Sequence, residues 1–504
     1  MQGTSDPNRE LMDAAALCRQ LVPEGTVAAF LADHRHELFP DEMFEDLFPS
    51  RRGRPSIPGD VVASVMVLQA LEGLSDREAA HALADRISWK VACGLALTET
   101  AFDFTVLTYW RSRLRASDAP ERVFNAVRAV VAATGVLKGK TRRALDSTLL
   151  DDAVATQDTV TQLVAQLRRV RRLVPGAGAL PARVADDARA KPLCDWGDEA
   201  ARASLVHDLV ADATDVLEAL EGAELDEPAG EALALLALVA GQDVELVDGR
   251  WRVAERVAPD RVISVVDPES RHMHKSRSLY RDGYKAHLAV EPETGLVTAA
   301  TLTPASASDA RVGVTLLEGE DESLAVYADA AYGSGEMLAA LETAGHASVV
   351  KPPPLSVAVE GGFSRDDFVV DEAAGTLTCP AGHVVVITAK RRATFGVRCR
   401  DCPLRSRCTN ATGGRTMHLH EHHALLVANR ARFADEGVVS DYRKWRPLVE
   451  RSISWLVRGP SRHVRYRGVY RNQLGLSTRV AAINLRRLVN LGLAHDGTTW
   501  VLTT

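Results

Sequence analysis

The first part of the chain, to about residue 135, has the hydrophobic spacing of helices. Residues 57–73 have a proline near their start and a glycine at their end, and the next segment opens with Ser75 and Glu78 at capping-box spacing. These signals predict two helices joined by a tight turn. A DNA-binding helix-turn-helix has this pattern, and so does a helix pair in a bundle.

Beyond residue 138 the pattern changes to strand signals that alternate with helices. Asp146 and Asp329 lie where the first and fourth strands of the core are expected to end. This order of elements is that of a ribonuclease-H-like α/β core. The predicted strands are residues 142–150, 261–267, 283–291, 295–304, a strand ending at Asp329, and 346–354.

Between these strands, residues 155–255 have helical spacing and a strongly acidic composition. Residues 204–249 hold twelve acids and no Lys or Arg. We interpret the stretch as a helical insertion with a solvated face; masking of a basic surface is the alternative.

The opposite charge pattern occurs near the C-terminus, where residues 442–487 hold twelve Lys and Arg residues and one acid, Glu450. The net charge of −7 therefore hides a basic region of the kind that binds nucleic acid.

Length and composition narrow the class of protein. A chain of 504 residues exceeds the range of a single core, so two or more domains are expected. The longest apolar run, residues 232–240, is too short to span a bilayer, and the N-terminus lacks the features of a signal peptide. We therefore expect a cytoplasmic protein, associated with the nucleoid when bound to DNA.

Asp146, Asp329 and Glu450 are the candidate catalytic residues. Mg²⁺ prefers oxygen ligands, and phosphoryl transfer with two metal ions needs a few carboxylates that converge from different elements. Asp at a strand end is also a common helix cap, so neither aspartate is informative alone. If residues 446–459 form a helix, Glu450 lies at the border of its apolar stripe; the alternative role for this acid is an ion pair with Arg446.

Four blocks of sequence occur in the order found in one enzyme family. "ALDST", "DGYKAHLAVEPETGLVTAATLTPASASD", "VYADAAYGSGE" and "RPLVERSISWLVRG" resemble the successive blocks of DDE transposases from bacterial insertion sequences, most closely the insertion sequence 1182 group. The N-terminal "LFPSRRGRPSIPGDVVASVMVLQALEGLSDREAAHAL" and "FDFTVLTYWRSRL" are similar to the helical DNA-binding region of such enzymes. The resemblance covers nearly the whole chain except about residues 155–255.

The resemblance implies that Asp146, Asp329 and Glu450 form the metal-binding triad of a DNA transposase, with two Mg²⁺ or Mn²⁺ ions. Such an enzyme binds the ends of its element, cleaves a strand and joins it to target DNA, acting as a homodimer or higher oligomer. Related enzymes have Tyr, Arg and Lys around the Glu. Here Tyr442 is one residue out of register, and Val457 takes the Lys position.

Two alternatives remain open. One is a retired transposase that binds DNA without cutting it, and the other is a metal-dependent nuclease without strand transfer.

Four cysteines form a second candidate metal site. Clustered thiolates on short loops suit a structural Zn²⁺, whereas reduced cysteines without metal are the alternative. They are Cys379, Cys399, Cys402 and Cys408, with His383 able to replace one of them.

The predicted DNA contacts are arginines in an N-terminal arm and in the basic C-terminal region, where they would engage phosphates. They are Arg51, Arg52, Arg54, Arg446, Arg451, Arg458, Arg462, Arg465, Arg467 and Arg471. The predicted organisation is a helical DNA-binding domain over residues 1–137 and a catalytic domain over 138–504, interrupted by the acidic helical insertion at 155–255 and a cysteine-rich, zinc-ribbon-like insertion at 360–415.

Overall fold

The computed structural model describes residues 1–5, 12–50, 52–152, 154–186, 191–274, 280–320 and 322–503. The N-terminal region is helical, as predicted, and the capping box of Ser75 and Glu78 is present at the start of α4. Gly73 ends α3 with a φ of +71°, a conformation that favours glycine. The helices of this region are α1 Ala14–Cys18, α2 Val27–Leu38, α3 Gly59–Glu72, α4 Asp76–Asp85, α5 Ile87–Cys93, α6 Thr105–Ala116 and α7 Arg122–Thr134.

A six-stranded mixed sheet forms the centre of the molecule. Its main strands follow the order β6-β5-β1-β7-β8, with β4 pairing the start of β5. β1 is antiparallel to β5 and parallel to β7, and β7 is parallel to β8. This strand order is that of a ribonuclease-H-like core. The strands are β1 Arg142–Asp151, β4 Arg271–His274, β5 Tyr280–Val290, β6 Val297–Pro304, β7 Ala325–Ala328 and β8 Ala347–Val350.

Helices cover both faces of this sheet. The face that carries Leu145 and Val326 packs against α11 Asp309–Thr315 and α12 Gly335–Thr343. The other face packs against α16 Leu448–Leu456 and α17 Val469–Asn490.

The predicted strand at residues 261–267 is wrong. Only Val262 forms a bridge there, with Arg271. The carbonyl oxygen of Val262 accepts hydrogen bonds from the side-chain amides of Gln162, at 2.9 Å, and Gln242, at 3.1 Å, and its N–H donates to the Gln242 Oε1 atom at 3.0 Å. Because helix side chains satisfy its backbone, this segment packs on the insertion and makes only the single bridge to β4.

The outer edge of β6 is paired by side chains of α17. Asn484 exchanges two hydrogen bonds of 2.8 Å with the backbone of Val297, and the Gln473 Oε1 atom accepts one from the Leu302 N–H at 2.8 Å. The two amides lie about 16 Å apart along the helix, and their partners lie about 16 Å apart along the strand. The helix therefore supplies the hydrogen bonds that a further strand would make and closes that edge.

The stretch predicted as an acidic helical insertion is helical and ends in a hairpin. A separate core lies within it, with buried Leu163, Leu209 and Leu236 among its members. Its elements are α8 Thr159–Leu173, α9 Glu199–Ala219, α10 Glu227–Gln242, β2 Val244–Val247 and β3 Arg250–Val253. No helix in the described part of the chain is long and apolar enough to cross a membrane.

Small sheets and short helices lie between β8 and α16, and a last hairpin follows α17. The cysteine-rich segment has a core of its own around Phe395 and Leu377. The elements are β9 Val369–Asp371, β10 Thr376–Thr378, β11 Val384–Val386, β12 Arg392–Thr394, α13 Arg405–Cys408, β13 Thr416–His418, α14 His423–Arg432, α15 Glu436–Trp445, and the final hairpin β14 Leu493–His495 with β15 Trp500–Leu502.

Candidate active site

Asp146 lies in the middle of β1, which covers the predicted strand 142–150 and ends at Asp151, so the expectation that this acid lies at the strand end is wrong. Side chains alternate along a strand, so Asp146 shares a face with Ala144 and Leu150, the face that packs against α16. The Asp146 Oδ1 atom accepts a hydrogen bond from the Ser147 N–H at 2.8 Å. Burial raises the pKa of Asp146 to about 6, against an opposing effect from Arg446.

Asp329 follows the last residue of β7 directly, as predicted. Since β7 pairs with β1 in parallel, with Tyr327 opposite Ala144, this carboxylate reaches the same side of the sheet as Asp146. The Asp329 Oδ1 atom accepts a hydrogen bond from the Ala331 N–H at 2.9 Å. The cap fixes the direction of the side chain without occupying both of its oxygens.

Glu450 lies in the first turn of α16. The helix begins after Pro447 and ends at Leu456, three residues before the glycine expected to end it. Val449 and Leu456 are buried against the sheet, whereas the Glu450 side chain is 66% exposed. Glu450 therefore borders the apolar stripe, as predicted, and faces solvent.

Arg446 joins the three acids. Its guanidinium nitrogens lie 3.0 Å from the Asp146 Oδ2 atom, 3.8 Å from the Asp329 Oδ2 atom and 3.3 Å from the Glu450 Oε1 atom. The Arg446 side chain is only 8% exposed. Three acids distant in sequence therefore converge on one buried cation; we call these four residues the acid cluster.

Tyr442, one turn before Arg446 on α15, borders the acid cluster. Burial raises the pKa of Tyr442, Arg446 opposes this shift, and the acids Asp329, Asp146 and Glu450 add to it. Its ring packs edge-on against Phe433 at 5.2 Å. Tyr442 therefore borders the site although it is one residue further from Arg446 in sequence than the tyrosine of related enzymes.

In this structure the oxygens of the three acids are not arranged to coordinate a metal ion. Among the described residues, no group of three or more His, Cys, Asp or Glu side chains could hold a metal ion. In the acid cluster the carboxylates point at the guanidinium of Arg446, which lies where their negative charges converge. The donors have the chemistry that a hard divalent cation requires, but Arg446 must move for them to share one.

The four predicted zinc ligands, Cys379, Cys399, Cys402 and Cys408, line one small cavity together with His383. Burial raises the pKa of Cys408, Arg415 opposes this, and the three neighbouring thiols raise it further. All four thiols are free. The cysteines are brought together as predicted, but their arrangement in the described structure does not support zinc.

The predicted DNA-binding arginines fall into different environments. Arg51 lies outside the described residues. Arg446 is buried in the acid cluster, so it does not lie on the outer surface where a DNA contact was predicted. Arg462 donates to the Leu149 carbonyl at 3.1 Å, and Arg465 forms an ion pair of 2.8 Å with Asp76. The others are exposed: Arg52, Arg54, Arg451, Arg458, Arg467 and Arg471.

A buried polar group on the opposite face of the sheet was missed from sequence. Lys285 and His287 of β5 both point at Asp309, with closest approaches of 3.3 Å and 3.5 Å. Burial lowers the pKa of His287 to about 4, so the ring is neutral. A Lys and a His at alternate positions in the otherwise apolar second half of β5 were the available signal.

Two family models match the sequence, and both are transposase models. The "Transposase DDE domain" covers residues 378–489, which include Arg446 and Glu450, and the "Transposase domain (DUF772)" covers residues 17–113 of the helical N-terminal region. No curated protein and no solved structure matches the chain. The resemblance to DDE transposases of bacterial insertion sequences is confirmed. Such transposases act on DNA and generally use divalent metals such as Mg²⁺.

Proposed function

We propose that this chain is an active DNA transposase, which binds the ends of an insertion sequence, cleaves a strand and transfers it into target DNA. The observation that carries the proposal is the convergence of Asp146, Asp329 and Glu450 at one point beside a ribonuclease-H-like sheet. Each acid comes from a different element, as a phosphoryl-transfer site with shared metal ions requires.

Asp146, Asp329 and Glu450 are the residues that would hold divalent cations, two Mg²⁺ or Mn²⁺ ions. Bound there, the cations would activate the attacking oxygen and stabilise the leaving oxygen of a phosphodiester.

The protein's own groups have separate roles. The β1 and β7 backbones fix Asp146 and Asp329, since one lies inside a paired strand and the other caps a turn. Glu450, on a solvent-facing helix turn, is the acid free to adjust. Arg446 lies against all three acids and balances their negative charge.

The exposed arginines would hold the DNA backbone beside this site. Arg451 follows Glu450 on α16, Arg458 lies just after the end of that helix, and Arg467 and Arg471 lie at the start of α17. Arginine binds phosphate through paired N–H donors, and the resulting contacts position a duplex without reading its sequence. The N-terminal helices would bind the element ends, and the chain would act as at least a homodimer on DNA.

A structural zinc in the cysteine-rich segment is a separate proposal. Its support is that the four thiols, from one stretch of 30 residues, line one cavity. As they lie they do not form a metal site, so they would have to reorient to bind zinc. Such a site would stabilise this small segment, whose own core is limited.

The proposed reaction is tested by strand cleavage on a duplex that carries the ends of the element, with Mg²⁺ present. Asp146→Asn, Asp329→Asn and Glu450→Gln should each abolish cleavage and strand transfer while DNA binding is retained. Asp151→Asn is the matched control: Asp151 lies on the same strand but pairs with Arg281, outside the acid cluster. A triad variant that cuts at the wild-type rate would overturn the proposal.

A further inference from the structure

An arginine pair stacks on one tryptophan of the helix that carries Glu450. The guanidinium carbons of Arg486 and Arg487 on α17 lie 4.2 Å and 4.6 Å from the ring centroid of Trp455 on α16. Stacking on an aromatic ring holds a guanidinium in place and leaves its N–H donors directed outward. The two side chains are therefore held in position before any ligand binds.

Further arginines lie close to this pair. Burial lowers the pKa of Arg487, and the neighbouring charges of Arg451 and Arg486 lower it further. Arg458 lines the same two cavities as Arg486. Arg451, Arg458, Arg486 and Arg487 together are called the arginine cluster below.

This cluster lacks acid partners. None of the ion pairs between described residues includes one of its four arginines, and the Arg487 Nε atom is buried without a hydrogen-bond partner. Glu72 lines the adjoining groove, but it accepts hydrogen bonds from Arg86 at 2.6 Å and from the Trp89 indole N–H at 2.9 Å. Four like charges this close repel one another unless an anion from outside neutralises them.

The space beside the cluster is open to such an anion. A groove of about 520 Å³ lies between the start of α2, the end of α3 and the C-terminal part of α17, with Arg458 and Arg486 on its wall. Trp455 follows Glu450 by five residues on the same helix, a rise of about 7.5 Å and a turn of about 140°, so the two side chains leave different faces of α16. Arg451 of the cluster follows Glu450 directly, so a DNA backbone that contacts Arg451 passes close to the acid cluster.

We propose that Arg486 and Arg487, stacked on Trp455 and flanked by Arg451 and Arg458, form a binding site for phosphates of the DNA backbone. This inference rests on the proposed function and adds to it the surface that holds the duplex next to the acids. Arg486 and Arg487 are the members that sequence reasoning did not select.

Salt dependence of DNA binding tests this site. The probe is a fluorescently labelled duplex of arbitrary sequence, and its anisotropy is measured with the full chain between 50 and 200 mM KCl, a range of about fourfold over which phosphate contacts weaken strongly. The variant is Arg486→Gln/Arg487→Gln. Each lost phosphate contact lowers the slope of log K against log salt by about 0.9, so the slope should fall by about 2.

The matched control is Arg250→Gln/Arg256→Gln, which removes one exposed arginine from the acidic insertion and one directly after it. Its slope should stay at the wild-type value. Arg486→Lys/Arg487→Lys restores both charges and should restore the slope.

Each other outcome overturns the inference. If the slope of the glutamine variant equals the wild-type slope, the pair does not contact phosphate. If the slope of the lysine variant falls as far as that of the glutamine variant, the pair has a structural role. Displacement of the duplex by inorganic phosphate at constant ionic strength, from wild type but not from the glutamine variant, means that the site takes free phosphate. A wild-type chain that binds no duplex overturns the proposed function as well.

Discussion

Replacing Arg446 with glutamine tests whether this side chain occupies the place of a metal ion. In the present structure the guanidinium contacts Asp146, Asp329 and Glu450 at once. A divalent cation shared by the same carboxylates must displace it. We therefore expect Arg446→Gln to bind Mn²⁺ more tightly than the wild-type chain does.

The size of this effect depends mainly on the contact with Asp146. That side chain is 15% exposed, whereas Asp329 and Glu450 are 44% and 66% exposed, so water weakens the arginine's interaction with those two. A hydrogen bond to a charged group contributes about 1.5–3 kcal/mol to stability. Taking about 2 kcal/mol as the cost of breaking it, the variant should bind Mn²⁺ about thirty-fold more tightly.

Repulsion between the carboxylates opposes the expected gain in Mn²⁺ affinity. Without Arg446, repulsion between the carboxylates could separate them and weaken metal binding. Asp146 is held inside a strand that is paired on both sides, and Asp329 is held by its bond to the Ala331 N–H. Since two of the three acids cannot move apart, the gain should dominate.

The measurement is isothermal titration of Mn²⁺ into the metal-free full chain. Arg443→Gln is the control, because Arg443 is an exposed arginine three residues earlier on α15. The control corrects for the change in net charge and should bind Mn²⁺ like wild type. If Arg446→Gln binds no more tightly than Arg443→Gln, the guanidinium does not compete with metal and the reasoning is refuted.

Three further predictions concern stability and metal content. Arg111→Met should lower the free energy of unfolding by about 3 kcal/mol in urea denaturation, because Arg111 is buried and is bonded to Asp76 at 2.9 Å; a loss below about 1 kcal/mol would contradict a structural role. Ser75→Ala removes the capping box and should cost about 1 kcal/mol in the same assay, whereas Ser75→Asp should retain most of the stability. The purified chain should contain one zinc ion by elemental analysis, and Cys399→Ser/Cys402→Ser should lose it; a wild-type chain without zinc would refute the zinc proposal.

Local signals in the sequence predicted much of the fold. The apolar strands at β1, β5, β6, β7 and β8 are where they were expected, since each is a short hydrophobic run bounded by turn residues or a charged residue. The segment at 261–267 has the same local pattern, yet Gln162 and Gln242 bind its backbone. That competition depends on side chains about 20 to 100 residues away in the sequence, which no local pattern reports.

The sequence predicted the three acids of the candidate site, but not that the guanidinium of Arg446 lies between them. Asp146, Asp329 and Glu450 were selected because carboxylates on two core strands and on a later helix follow a known order. Arg446 was expected to pair with Glu450 or with DNA. Its contact with Asp146 joins positions 300 residues apart, and only the register of β1 against β7 and the packing of α16 on that sheet determine it.

The long helix α17 packs against both the N-terminal helices and the sheet that carries two of the acids, and so connects them. One face of α17, with Leu485 and Leu488, belongs to the core formed with the N-terminal helices, while Val480 and Ile483 pack with the sheet and α16. The same helix closes the edge of β6 and carries Arg486 and Arg487. A displacement of α17 would therefore move the proposed phosphate site together with both packing surfaces, because closely packed cores transmit strain. DNA held by the arginine cluster would for this reason be fixed relative to Glu450 on α16, since Trp455 of that helix lies in contact with the same two arginines.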